Sequence, residues 1–191
     1  TVELDPKVFE LCQSRLAFQP SAQTPVAVAD GRMYVKRDKG TWDWLILDAF
    51  RGGFVPPHLK TEEFYRECAA RLGDRGVFIS NLHSGTELFY SDIKTIQKGG
   101  PHCGLFQTAG RGNVIICAVK YREPSMTSAN QWPDVAKLTV PVFAGRLNLA
   151  AIRAERIPLP LAEVALARVL TDDFSPVEFL DTVKSNNTGD R

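Results

Sequence analysis

The stretch TWDWLILDAFRGGFVPPHLKTEEF, Thr41–Phe64, decides the fold of this chain. Trp44–Leu47 is a short apolar run that predicts a buried strand, and Asp48 follows it directly. A Gly/Pro-rich segment comes next (Gly52, Gly53, Pro56, Pro57), and then a helix opening near Thr61. A strand that ends in a carboxylate and runs through a loop into a helix is half of a βαβ unit. In open parallel sheets ligands bind outside the carboxyl ends of the strands, which makes Asp48 a candidate functional residue. The competing reading is an Asp that only stabilises a turn.

Working outward, Val2 and Leu4 alternate with Glu3 and Asp5, a strand with two acids at its end. Asp5 is a plausible N-cap, with Pro6 at the first helical position. Val8, Leu11, Cys12 and Leu16 form the apolar face of that helix. Nothing precedes the first strand to pair with it, so the sequence reads as though it starts one unit late. Pro25–Ala29 is a second strand ending in Asp30–Gly31, and Met33–Lys39 a brief helix or turn. A helix over Glu62–Leu72 buries Phe64, Cys68, Ala69 and Leu72, with Gly73 as its C′ residue. Val77–Ser80 is the next strand, and its end presents Asn81 and His83. Thr86–Lys98 follows as a helix with Leu88, Phe89, Ile93 and Ile96 buried, closed by Gly99–Gly100.

The pattern then changes. His102–Thr108 and Asn113–Tyr121 are strands joined only by a tight turn, so they are predicted to be antiparallel. A βα alternation ended by a hairpin at one edge differs from a dinucleotide-binding fold, which continues with βα units. Val140–Ala154 and Leu161–Leu170 are helix candidates separated by Pro158 and Pro160. Ser175, Pro176 and Glu178 read as a capping box starting a helix that runs to about Lys184, before a frayed tail. The domain expectation is one nucleoside-binding catalytic-type domain over 1–191, with a sheet core in 1–125 and a helical extension in 126–191.

Composition narrows the function. With 191 residues, 44% apolar and 24% charged, the chain suits one globular domain. A net charge of +1 gives no reason to expect nucleic acid or an anionic membrane as partner. Arg32, Lys36, Arg37 and Lys39 read as a solvated basic loop. No run approaches the ~18 apolar residues of a membrane span, and no signal-peptide pattern opens the sequence. Cys12, Cys68, Cys103 and Cys117 form no CxxC pair, and His58, His83 and His102 lack zinc-ligand spacing. Free thiols, no metal and the cytoplasm are the expectations.

Glu3/Asp5, Asp30 and Asp48 close three successive strands. Side by side in a parallel sheet, these acids would line one crevice suited to hydrogen-bond donors: ribose hydroxyls, an exocyclic amine, a protonated amine. VELDP (Val2–Pro6), ADG (Ala29–Gly31), WDWLILDAF with PPHLKTEEFY, and GVFISN (Gly76–Asn81) resemble the catalytic domain of spermidine synthases. The resemblance covers roughly Val2–Tyr121. It is closer to bacterial spermidine synthase-like proteins, including those fused to transporter segments. Asp48–Phe64 and Leu170–Glu178 (LTDDFSPVE) match their central and late motifs.

The resemblance implies a Rossmann-like class I methyltransferase fold, an α/β architecture whose mostly parallel sheet ends in an antiparallel hairpin, here with C-terminal helices added. The Gly-rich first strand of that fold and the small N-terminal β-domain of the synthases have no counterpart in this stretch. It implies decarboxylated S-adenosylmethionine or S-adenosylmethionine as co-substrate and a small-molecule amine as acceptor, with a homodimer as the expected assembly. Glu3 would hold the ribose hydroxyls, and Asp30 would accept from the adenine amino group beside Gly31. Asp5 and Ala49 complete the nucleoside set, and Asp48 would orient and deprotonate the amine. Where aminopropyltransferases carry a second acid three residues later, this chain has Arg51, which predicts poor use of putrescine. Arg51, His58, Asp172 and Asp173 are the substrate-side candidates, although acids ahead of a helix also serve as caps. Trp42, Trp44 and Trp132 could stack on adenine, with core packing as their commoner use. Two further readings remain open: a methyltransferase on the same fold, and a catalytically idle domain that binds a nucleoside or a partner protein.

Overall fold

A computed structural model describes residues 1–51, 54–100, 102–107, 112–120 and 156–180. The chain divides into two compact units, Thr1–Gly40 and Thr41–Arg191.

In the first unit, β1 (Val2–Glu3) and β2 (Ala27–Val28) pair in parallel, Glu3 opposite Val28. Between them runs α1 (Pro6–Arg15), started by Asp5, whose side chain accepts from the Lys7 amide, with proline in the first turn as the sequence predicts. None of α1 is buried. Val8, Leu11 and Leu16 are 44%, 56% and 74% exposed, so the predicted apolar face is not a packed one within the described residues. After β2, Asp30 caps α2 (Gly31–Arg37) by accepting from the Met33 amide at 2.9 Å, which seats Val35 inward.

The second unit is built on a mixed sheet ordered β3-β4-β6-β5-β7. Its strands are β3 (Trp42–Leu47), β4 (Leu72–His83), β5 (His102–Gln107), β6 (Asn113–Val119) and β7 (Arg156–Ile157). β3 and β4 are parallel and joined through α3 (Glu62–Arg71), the βαβ unit anticipated from Thr41–Phe64. β6 is antiparallel to β5, as the tight connection requires, and also to β4. β5 is not the outer strand, because β7, unanticipated in the sequence, adds an antiparallel pairing beside it.

The covered face of this sheet carries Phe78, Ser80, Leu105, Val114, Ile116 and Ala118, all buried. Above it lie Phe64, Tyr65 and Cys68 of α3 and Phe89, Ile93 and Ile96 of α4 (Phe89–Ile96). Thr61 caps α3 through the Phe64 amide. Gly99, just past α4, must be glycine, since a Cβ there would run into the Tyr65 carbonyl. The expectation that Trp44–Leu47 is buried holds for Leu47 alone. Trp44 and Ile46 point to the opposite face and are 69% and 64% exposed, so Trp44 serves neither core packing nor a closed stack. β4 also begins five residues earlier than predicted, so Gly73 lies inside a strand rather than in a left-handed helix cap.

The C-terminal segment is stitched to these helices. α5 (Leu161–Leu166) is shorter than predicted, and Lys94 Nζ donates to the carbonyls of Ala165 in its last turn and of Ala167 just beyond it. Leu170 and Val177 join Leu88 in a small core with Phe54 and Leu180 around it. α6 (Val177–Leu180) starts where the capping-box pattern indicates, but the Ser175 hydroxyl is buried without a hydrogen-bond partner, so it does not cap. The predicted helix at 140–154, the hairpin turn, Trp132 and the residues after 180 lie outside the described residues.

Candidate active site

The acids of the first unit occupy two adjacent strand ends. The Ala29 amide donates to the Glu3 carbonyl at 2.9 Å, which carries the β1–β2 ladder up to Asp30. Glu3 is half-buried, and its Oε1 accepts from the Asp5 amide at 2.8 Å. Asp5 and Asp30 each spend one carboxylate oxygen on a helix cap. The turn-stabilising role therefore holds for both. Gly31, as the first residue of α2, brings backbone without a side chain next to Asp30.

Asp48 belongs to the second unit. Leu47 pairs with Ser80 at the end of the β3–β4 ladder, so Asp48 leaves the sheet beside Asn81, which continues in β4 paired with Ile115 of β6. Asp48 is exposed, and its Oδ1 accepts from Asn81 Nδ2 at 3.4 Å. Ala49 is half-buried behind it, and Arg51 is exposed, its amide donating to the Phe54 carbonyl at 2.9 Å. The loop is then drawn back to the core by Val55, Leu59 and Lys60, all buried. Lys60 pairs with Asp92 of α4 at 2.9 Å, both side chains almost fully enclosed. Exposure of Asp48 directly after β3, combined with anchoring of the loop's far end, suits a group that must meet solutes in a fixed position.

The remaining candidates separate from this point. His58 is exposed in the short 3-10 helix Pro57–Leu59. His83 Nδ1 accepts from the Gly85 amide at 3.1 Å, a turn role. Asp172 accepts from Thr61 Oγ1 at 2.7 Å, and its amide donates to Glu63 Oε2 at 3.0 Å. Asp172 thus ties the late LTDD motif to the cap of α3. Asp173 is exposed. A cavity of about 250 Å³ between β5 and the segment after β7, lined by Cys103, Leu105, Arg156 and Leu159 among others, includes none of the predicted site residues. Asn81 was legible only as a strand-end residue. Its pairing with Asp48 depends on the β3–β4 register, which no local pattern announces.

All four cysteines are free, with only Cys68 fully buried. Burial pushes the Cys117 thiol up to about 11, and nearby Cys103 adds to the shift. Among the described residues no group of three or more His, Cys, Asp or Glu could hold a metal. No helix among them is long and apolar enough to cross a membrane.

In fold the chain matches the human methyltransferase-like protein 13 in complex with SAH, with a TM-score of 0.62 at 19% identity, covering 90% of this chain and 72% of that one. It matches a probable spermidine synthase from Corynebacterium glutamicum with a TM-score of 0.62 at 21% identity, covering 90% and 62%. The chain has the Rossmann-like fold shared by class I methyltransferases and spermidine synthases. In sequence it is 32% identical over 187 residues to the polyamine aminopropyltransferase of Vibrio vulnificus, across 94% of this chain and 60% of the relative. The corresponding protein of Chromobacterium violaceum is 30% identical over 146 residues, 71% of this chain and 51% of the relative. An N-terminal histidine N-methyltransferase of Emericella nidulans is 29% identical over 147 residues, 70% of this chain and 26% of the relative. No family model matches. The chain is similar in sequence to polyamine aminopropyltransferases and in fold to spermidine synthases, and it spans 60% or less of the length of these curated relatives.

Proposed function

We propose that the chain carries aminopropyl transfer from decarboxylated S-adenosylmethionine to a small-molecule amine, releasing methylthioadenosine. The observation that carries this is Asp48: an exposed carboxylate directly after β3, on a loop anchored at its base, in a chain 32% identical to an aminopropyltransferase. In the first unit, Glu3 and Asp30 are acceptors for the ribose hydroxyls and the adenine amino group, with Asp5 and Gly31 beside them. The acceptor amine reacts only when neutral. Asp48 takes one proton from its ammonium, and the freed lone pair forms the C–N bond at the carbon next to the sulfonium. The C–S bond breaks, and its electron pair leaves with sulfur. Much of the remaining acceleration comes from positioning the two reactants.

Arg51 places a cation where a second amine of a diamine would bind, so the acceptor is an amine without a second positive charge nearby. Free thiols favour a reducing compartment, and the cytoplasm is the site of action under this reading. The likeness to an N-methyltransferase supports a second reading, methyl transfer from S-adenosylmethionine.

Asp48→Asn tests the assignment, since it keeps size and loses proton acceptance. Turnover should fall by roughly 10²–10⁴, the worth of a positioned base, with methylthioadenosine affinity and melting temperature preserved. Unchanged turnover with lowered stability would reduce Asp48 to a loop cap. Product analysis decides the reaction: methylthioadenosine supports aminopropyl transfer, S-adenosylhomocysteine the methyltransferase, and no product an idle binding domain.

A further inference from the structure

Asn81 is half-buried in β4, one residue past the last β3–β4 pair and opposite Ile115 of β6, and its two side-chain ends have unequal fates. Nδ2 donates to Asp48 Oδ1 at 3.4 Å. Oδ1 is buried and has no hydrogen-bond partner. An enclosed carbonyl oxygen without a donor is unfavourable and uncommon, so one held in a strand beside a candidate base calls for an explanation. Exchanging the amide's two ends would not remove the problem, because it would set an oxygen against the Asp48 carboxylate.

We propose that Asn81 is the second hydrogen-bonding group of the acceptor-amine subsite. Its carboxamide nitrogen orients Asp48, and its Oδ1 accepts an N–H of the same primary amine whose proton Asp48 takes. This rests on the aminopropyl-transfer reading and adds to it both a residue and a substrate class. An ammonium has three N–H bonds. One proton passes to Asp48 and its electron pair becomes the attacking lone pair, while Asn81 holds one of the two N–H bonds that remain. A carboxamide adds an acceptor without adding charge, so Asp48 and Asn81 together carry one negative charge and match one ammonium. With Arg51 three residues beyond Asp48, the class is a primary monoamine rather than a diamine.

The test compares n-butylamine with putrescine, equal in carbon number and differing in charge, in the presence of methylthioadenosine. In the wild type, butylamine should shift the Asn81 side-chain NH₂ resonances and bind more tightly than putrescine. Asn81→Leu should weaken butylamine binding by about tenfold, the usual effect of one lost hydrogen bond, and leave methylthioadenosine affinity within about twofold. Asn81→Ser, smaller and polar, is the second variant should the leucine form fold poorly. In turnover, both variants should raise the amine KM and lower kcat. Equal butylamine affinity in the wild type and either variant, unmoved Asn81 resonances, or no amine binding at all would overturn the subsite. If amine binding moves Asn81 but no methylthioadenosine is formed, the transfer reading falls and the subsite stands. If Asn81 variants turn over as the wild type does, the transfer reading stands and the subsite falls.

Discussion

Replacing Lys60 with Met should cost this protein about 3–5 kcal/mol. Lys60 Nζ lies 2.9 Å from Asp92 Oδ2, and the two side chains are only 4% and 3% exposed. At that burial water can neither screen the pair nor solvate a survivor, so removing one partner takes from a core charge the counter-charge 2.9 Å away. Met preserves most of the aliphatic length of Lys, which keeps the packing loss small beside the electrostatic one. The same logic makes the double variant Lys60→Met/Asp92→Leu far milder than the sum of its singles, because both desolvation costs vanish together. Urea unfolding of wild type, both singles and the double measures the coupling directly. For a domain whose total stability is about 5–15 kcal/mol, each single should lower the midpoint visibly. Single losses below about 1 kcal/mol, or a double equal to the sum of the singles, would refute the buried-pair argument. The pair also anchors the base of the loop that follows Asp48. A Lys60→Met protein that still folds should therefore lose turnover through loop position, with its Asp48 intact.

Three further outcomes are expected. The Cys117 thiol, raised from 9.0 to about 11 by burial and then by Cys103, stays protonated in the fold at pH values where the unfolded chain ionises it. Its contribution is therefore full below about pH 9 and is lost as pH rises toward 11, so Cys117→Ala should flatten the fall in stability between urea melts at pH 8.5 and 10.5. Equal slopes would deny the shift. Arg51→Asp should improve kcat/KM for putrescine by roughly five- to thirtyfold, the effect of ~1–2 kcal/mol between charges in a largely solvated loop; efficient putrescine use by the wild type would contradict the role given to Arg51. Thr95→Val should cost about 1–3 kcal/mol, with Thr95→Ser close to wild type. The fully buried Thr95 hydroxyl donates to the Ser91 carbonyl at 2.6 Å and accepts from the Leu170 amide at 3.0 Å, which valine would leave unpaired. A valine variant as stable as the serine one would show the hydroxyl to be dispensable.

Local signals in the sequence determined a good deal. Asp5 followed by Pro6, and Thr61 before α3, announced their helices, because an N-cap is made within four residues, whereas the cap that Asp30 gives α2 was not read from the sequence. The hairpin of β5 and β6 followed from a connection too short for anything but antiparallel pairing. Asp48 was visible as the residue after an apolar run.

Long-range pairing decided the rest. The run Trp44–Leu47 looks uniformly buried, yet only one of its faces is covered, since coverage depends on which helices return to which side of the sheet. β7 is two residues long and exists because β5 offers an edge, so no pattern within Arg156–Ile157 could announce it. Ser175 has the sequence of a cap and does not make one, while Asp172, read as a possible substrate acid, is claimed by Thr61 from 111 residues away. Asn81 acquires its place beside Asp48 only through the β3–β4 register, and a slip of one residue would turn it to the other face. Sequence reports what a residue can do within a turn or a strand; register and burial, set by partners far away in the chain, decide which of those capacities is used.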